Sequence, residues 1–298
     1  MTLSAESPQP VAVRPKRLRG ADVGIPARQL DFRLSEQMPR WLFGDNITAT
    51  TYLAVLSAFF PPGERFFIRS VNHFADQISD PTLRAQVAGF TGQEVIHGRE
   101  HDRLNDVLRE RGFNVDLAEG AVRVALALLS QLPARQQLAC TALMEHFTAL
   151  MAEETLAAED AGEGHIHPDL NELWLWHALE ELEHKSVSYE VYETAGNSWR
   201  QRLLAEPLVV ATVGPALVIS WAWLAVSEGA LTRRGDVAEG LRMVLGPGAI
   251  MRKVLLGLPR FRRRDFHPAK RDTSALEQAW RERLFGAEGT LRDQLRRL

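Results

Sequence analysis

Cysteine is almost absent: Cys140 is the only one in 298 residues. That excludes a disulfide framework and a thiolate metal site, and nothing in the chain contradicts a reducing, cytoplasmic setting. Excess charge is also lacking. With 35 Lys and Arg against 38 Asp and Glu, the formal net charge is -3, which gives no global pull toward nucleic acid. The N-terminus carries no apolar h-region, so no secretory signal is expected. No repeat of fixed period and no convincing strand pattern is found. What is plentiful is apolar residues, 45% of the chain, enough for one large domain or two small ones.

Helical signals fill the rest. Residues 1–35 read as a flexible basic tail, with Arg14, Lys16, Arg17 and Arg19 clustered in it. An apolar run from about Asp45 to Phe60, capped by Asp45 or Asn46, is expected to stop at Pro61-Pro62-Gly63, with a second helix opening at Glu64. Asp80 caps the next, from about Pro81 to Arg111, with an inner stripe of Phe90, Glu94, His97, His101, Leu104 and Leu108. Another runs from about Ala134 to Glu159 with the stripe Leu138, Ala142, Glu145, Ala149, Ala152 and Leu156. The last of the set starts at Pro168-Asp169 and fades near Gly196.

Beyond 200 the pattern changes. Residues 207–226 contain no charge and are long enough to cross about 30 Å of hydrocarbon, with Gly214-Pro215 in the middle. A second apolar run, 241–258, is broken at Gly246-Pro247-Gly248 and leads into Arg260, Arg262, Arg263 and Arg264. Residues 274–298 look amphipathic around Leu276, Trp280 and Leu284. Two readings of 207–226 stand near even, a helix buried on the bundle and a peripheral or re-entrant membrane contact with 241–264 at anionic headgroups. The expected organisation is therefore a tail (1–35), an all-α bundle (36–200) and an apolar, basic helical extension (201–298).

Two runs carry chemistry. Q-E-V-I-H-G-R-E-H-D at 93–102 and H-A-L-E-E-L-E-H at 177–184 place imidazoles and carboxylates on stripes that a core would fill with Leu or Ile. Buried ionisable groups are costly unless paired or metal-bound. In order, four helices offer Glu64, then Glu94-x-x-His97, then Glu145, then Glu181-x-x-His184. That is the ligand order of di-iron carboxylate bundles, a Glu from each of two helices and Glu-x-x-His from each of the others. Positions i and i+3 point the same way, so a carboxylate can bridge two ions while the imidazole caps one. Four glutamates bring -4, which two Fe(II) ions cancel. Asp76 is a substitute for Glu64, and Glu153 and Glu154 compete with Glu145. His177, one turn before Glu181, is either a third imidazole ligand or a histidine that hydrogen-bonds a ligand from behind. His101, Asp102, His146 and Tyr189 are candidates for that supporting role or for lining the pocket, alongside Glu183 and Lys185.

These motifs, with P-P-G-E-R-F-F at 61–67 and the H-A-L-E-E-L-E-H-K run, resemble the bacterial family named "predicted metal-dependent hydrolase", over about residues 30–270. The ligand order is also similar to the ferritin-like di-iron superfamily, which implies a four-helix bundle. His177-x-x-x-Glu181-x-x-His184 is similar to the three-histidine site of the aminobenzoate N-oxygenases. By that resemblance Glu64, Glu94, His97, Glu145, His177, Glu181 and His184 are all ligands.

The leading expectation is an O2-activating nonheme di-iron enzyme, with two Fe ions (Mn or Zn as alternatives) and O2 as co-substrate, acting on a small hydrophobic molecule. The alternatives are a hydrolase with a di-metal-activated water and a non-enzymatic di-iron sensor. Expected partners are the small-molecule substrate, an external electron donor, a membrane surface met through 207–226 and 241–264, and a second copy as a homodimer, but no nucleic acid. The expected location is the cytoplasm, peripheral to or inserted in the inner membrane.

Overall fold

The computed structural model describes residues 18–32, 34, 38–196 and 198–296. Among them the chain forms ten α-helices, a few short 3-10 turns and no strand. The all-α expectation holds.

Helix α1 runs Ile47–Asn72 without interruption, through Pro61 and Pro62. Asn46 caps it, its Oδ1 accepting from the Ala49 amide at 2.8 Å. The expected break at the Pro-Pro-Gly run does not occur. Pro61 has no N–H to give to the Ser57 carbonyl one turn back, but Asn105 Nδ2 donates to that carbonyl at 3.3 Å instead. A replacement donor from the neighbouring helix lets α1 carry on.

Helix α2 (Pro81–Glu110) starts at the Asp80 cap, which accepts from the Thr82 amide, and stops before Gly112, whose φ of 85° suits a residue without Cβ. Helix α3 (Asp116–Leu129) was not foreseen. Helix α4 (Ala134–Asp160) matches its expected span, and both expected inner stripes, on α2 and α4, are buried. The last expected helix is two: α5 (Pro168–His184) and α6 (Val187–Thr194), separated at Lys185-Ser186. Glu64, Glu94, Glu145 and Glu181 therefore come from α1, α2, α4 and α5.

Beyond 198 the chain packs on these helices. Helix α7 (Trp199–Ser227) runs through Pro207 and Pro215, sends Leu217, Trp221 and Leu224 into the core, and donates from Trp221 Nε1 to the Thr48 carbonyl. It is long and apolar enough to cross a membrane by length and composition, and its outer positions Val210, Val218 and Ile219 stay exposed. Helix α8 (Asp236–Leu245) begins with buried Asp236, whose carboxylate accepts from the Ile47 and Thr48 amides at the start of α1. Helix α9 (Ile250–Gly257) follows the Gly-Pro-Gly break. Helix α10 (Ser274–Phe285) is shorter than the amphipathic run suggested, and Trp280 and Leu284 are its buried positions.

The tail reading fails where residues are described. Arg14, Lys16 and Arg17 lie outside the described residues, but Ile25, Ala27, Leu30 and Phe32 are buried in the core. Leu30 pairs with Leu295 in an isolated antiparallel bridge, Asp31 N donates to the Gln294 carbonyl and Arg296 N to the Gln29 carbonyl. The two ends of the described chain hold each other.

Candidate metal centre

Four helices deliver four carboxylates and three imidazoles to one buried place. Glu64, Glu94, His97, Glu145, His177, Glu181 and His184 are all at most 5% exposed. They fall into three overlapping groups whose donor atoms lie within 4.8 Å of one another: Glu64, His97 and His177; Glu94, His97 and Glu181; Glu94, Glu145 and His184. Glu94 and His97 each belong to two of the groups. Gly98 makes room on the α1 side, because a Cβ there would stand 2.8 Å from Glu64 Oε2.

The hydrogen bonds behind the imidazoles decide which nitrogen faces inward. Asn105 Nδ2 is committed to the Ser57 carbonyl, so its Oδ1 accepts from Ser57 Oγ–H at 2.8 Å. Ser57 Oγ then accepts from His101 Nδ1–H at 3.0 Å, and His101 Nε2 accepts from His177 Nδ1–H at 2.8 Å. His177 is left with a bare Nε2, 2.9 Å from Glu181 Oε1. Gln93 Nε2 donates to Glu183 and to the Pro26 carbonyl, so Gln93 Oε1 accepts from His184 Nδ1–H at 2.9 Å. That leaves His184 Nε2 lone-pair inward, 3.1 Å from Glu94 Oε1. His97 donates from Nε2 to Glu180 Oε2 at 3.0 Å and turns Nδ1 to Glu94 and Glu181, 3.7 Å from each.

Three inward lone pairs thus face four carboxylates, an arrangement that only cations satisfy. The hydrogen-bond ledger agrees. Both oxygens of Glu64, Glu94 and Glu145, with Glu181 Oε2, His97 Nδ1 and His184 Nε2, are buried without a partner. Protons are the only substitute when no metal is bound. Burial, then the charge of Glu94, raises Glu64 well above the usual carboxylate range, and the same two causes raise Glu145. Burial works against charge on His184, but Glu181 and Glu94 outweigh it and hold the ring well above its ordinary value. For His97, Glu180 and Glu94 likewise overcome burial and raise the pKa to about 10. Burial, then His177 and His97, pushes His101 well below its ordinary value, which keeps it the neutral relay that the hydrogen bonds require.

Two further links close the ring. Arg28 pairs with Glu180 Oε1 at 2.8 Å and forks onto both oxygens of Glu183 at 2.7 and 2.8 Å, and Arg281 also reaches Glu183. The supports of His97 and His184 are therefore tied through one guanidinium. Gln93, Glu180, Arg28, Ser57 and Asn105 were not singled out in the sequence, although Gln93 and Glu180 each adjoin a ligand. Of the expected supporting residues, His101 is in place and Glu183 reaches Gln93. The other four lie elsewhere. Asp102 is half-exposed beside Arg65. Tyr189 donates to the Phe266 carbonyl. His146 packs against Phe261 and Phe266, on the wall of a separate cavity of about 310 Å³. Lys185 donates to the Arg271 carbonyl, away from the centre. The alternative ligands are excluded in the same way: Glu153 binds Arg271, Glu154 binds Lys253, and Asp76 is exposed beyond α1.

A buried, thiolate-free set of seven Glu and His donors on an all-α scaffold defines the class, a protein built to hold metal. The family model described as "predicted metal-dependent hydrolase" matches residues 26–272, and the chain belongs to that family. No curated protein and no solved structure matches it.

Proposed function

We propose that the chain is a metal-dependent hydrolase with a two-ion centre held by Glu64, Glu94, His97, Glu145, His177, Glu181 and His184. The observation that carries the reading is the set of nine partnerless carboxylate and imidazole atoms facing one another in the core, and the family description supports hydrolysis. Divalent ions there supply Lewis acidity, polarising a substrate oxygen and acidifying water. The donor set suits Fe, Mn or Zn. The chain's own residues do the rest. Glu180 and Gln93 hold His97 and His184 in the tautomers that present a lone pair inward, and the Asn105–Ser57–His101 relay does so for His177. Glu64 and Glu145, neither with a hydrogen bond of its own, are the carboxylates that take up protons when no metal is bound. Phe60, Phe90, Trp174 and Trp176 surround the imidazoles and keep bulk water out.

The second reading is O2 activation by two iron ions. It is favoured by a specific feature, the all-carboxylate-and-imidazole set with four buried glutamates to balance four positive charges. One experiment separates the two. Zn-, Mn- or Fe-loaded protein is offered ester, amide and phosphoester substrates without O2, and Fe-loaded protein is then followed for O2 uptake with a reductant. Anaerobic turnover supports hydrolysis. O2 uptake with no anaerobic turnover replaces it with the oxidative reading.

A further inference from the structure

Helix α7 presents an apolar face that no described part of the chain covers. Leu204, Val210, Val218, Ile219, Trp223 and Val226 are 39–63% exposed, and no charged side chain lies between Pro207 and Ser227. From Leu204 to Val226 the helix spans about 33 Å at 1.5 Å per residue. The core helix of a soluble protein is mostly buried, but only 17% of the most apolar 18-residue stretch of α7 is. Helix α3, which packs against α7, adds Val124 and Leu128, 64% and 57% exposed. So long an apolar surface marks a site of interaction.

Spanning a membrane would tear α7 from the bundle. Its inner face holds Leu217, Trp221 and Leu224 in the core, and Trp221 Nε1 donates to the Thr48 carbonyl at 2.8 Å. At its start the buried Arg202 donates to the carbonyls of Arg263 and Arg264 at 2.9 and 3.4 Å. Those bonds seat the basic run 260–264 beside the first turn.

Cations stand at both ends of the face. Arg200 lies one turn before Leu204 on the same side, and the Arg264 guanidinium lies 4.1 Å over the Trp199 ring. At the other end Leu231, 70% exposed, leads into Arg233 and Arg234. Arg233 pairs with Asp45, but among the described residues no carboxylate pairs with Arg200, Arg234 or Arg264. This pattern decides the occupant. If a second copy packed its α7 on this one, in either direction, cations would meet cations, because both ends carry them. Anionic headgroups answer both ends, and acyl chains take the middle.

We propose that α7 docks the protein on a bilayer containing anionic lipid. The helix lies in the plane of the surface, with Val218, Ile219 and Trp223 entering the acyl region and Arg200, Arg234 and Arg264 at the phosphates. The inference does not rest on the hydrolase reading.

The test is co-sedimentation of the metal-loaded full chain with vesicles of phosphatidylcholine alone and of phosphatidylcholine with phosphatidylserine at three to one. The expected result is binding to the mixed vesicles that salt weakens, and little to the neutral ones. Val218→Asp with Ile219→Asp lowers the affinity on the order of a hundredfold, the worth of two buried aliphatic side chains. Arg234→Gln and Arg264→Gln each lower it about fivefold. Metal content and helical circular dichroism stay unchanged, and Val210→Asp takes the place of the double variant should that one misfold. Absent binding to the mixed vesicles, or binding indifferent to the aspartates, overturns the assignment of the face. Equal binding to both kinds of vesicle overturns the role of the headgroups. A particle of twice the chain mass in light scattering, split by the same aspartates and blind to vesicles, replaces the bilayer with a second copy.

Discussion

Removing metal should make the stability of this protein fall with alkaline pH, and the slope can be worked from one residue. In the metal-free fold His97 has a pKa of about 10, raised from 6.5. Between pH 7 and 8 the folded state holds that proton and the unfolded state has lost it. More protons on the native side means that stability declines as pH rises. One proton corresponds to about 1.4 kcal/mol per pH unit. His184, Glu64 and Glu145 are raised too and act with the same sign, adding to the His97 contribution. His101, His177 and His146 are lowered and act with the opposite sign, but their rings are already mostly neutral in the unfolded chain above pH 7, so the offset is small. Loading two divalent ions displaces the protons, abolishes the decline and adds about 4 kcal/mol for each ion present at a thousand times its Kd. The assay is urea unfolding at pH 7.0, 7.5 and 8.0, with chelator and with metal, together with proton release on metal addition in weak buffer. A chelated protein whose stability is level or rises across that range, with no proton released, would refute the convergence argued above.

Four substitutions probe the centre's parts. Glu94→Ala should abolish binding of both ions, whereas Glu64→Ala should keep about one, held by Glu94, Glu145 and His184; elemental analysis of the loaded variants checks this. Asn105→Leu frees the Ser57 hydroxyl and carbonyl and unlocks the His177 tautomer, so metal affinity should drop about tenfold to a hundredfold in competition with a chelating dye. Gly98→Ala forces a Cβ against Glu64 Oε2 and should lower occupancy of the Glu64 position while circular dichroism stays helical.

How far the sequence could be read depends on where each signal sits. The stripes of α2 and α4 were legible because every inward position of a helix recurs at fixed spacing, and the chemistry-bearing residues interrupt an otherwise apolar series. Glu64 was harder. Its register depended on whether Pro61 and Pro62 stop a helix, and the answer lies in Asn105, 44 positions further along. Arg28 and Gln93 gave no periodic signal. They matter through partners 155 and 91 residues away, and such pairings exist only in the fold. Tyr189 and Asp102 misled because closeness along a helix to a ligand does not set the direction of a side chain. His177 illustrates the reverse: its spacing was clear, but its inward nitrogen follows only from a chain of bonds through three other residues.

The pairing of Leu30 with Leu295 bears on the order of assembly. Arg28 leaves the ribosome well before the glutamates it neutralises, which are made some 150 residues later, and the segment that pairs with the residues beside Arg28 follows later still, at 294–296. The centre therefore cannot be braced until that segment has been made. Metal arriving earlier meets an unfinished cradle, and residues 294–296 act as the latch that seals it.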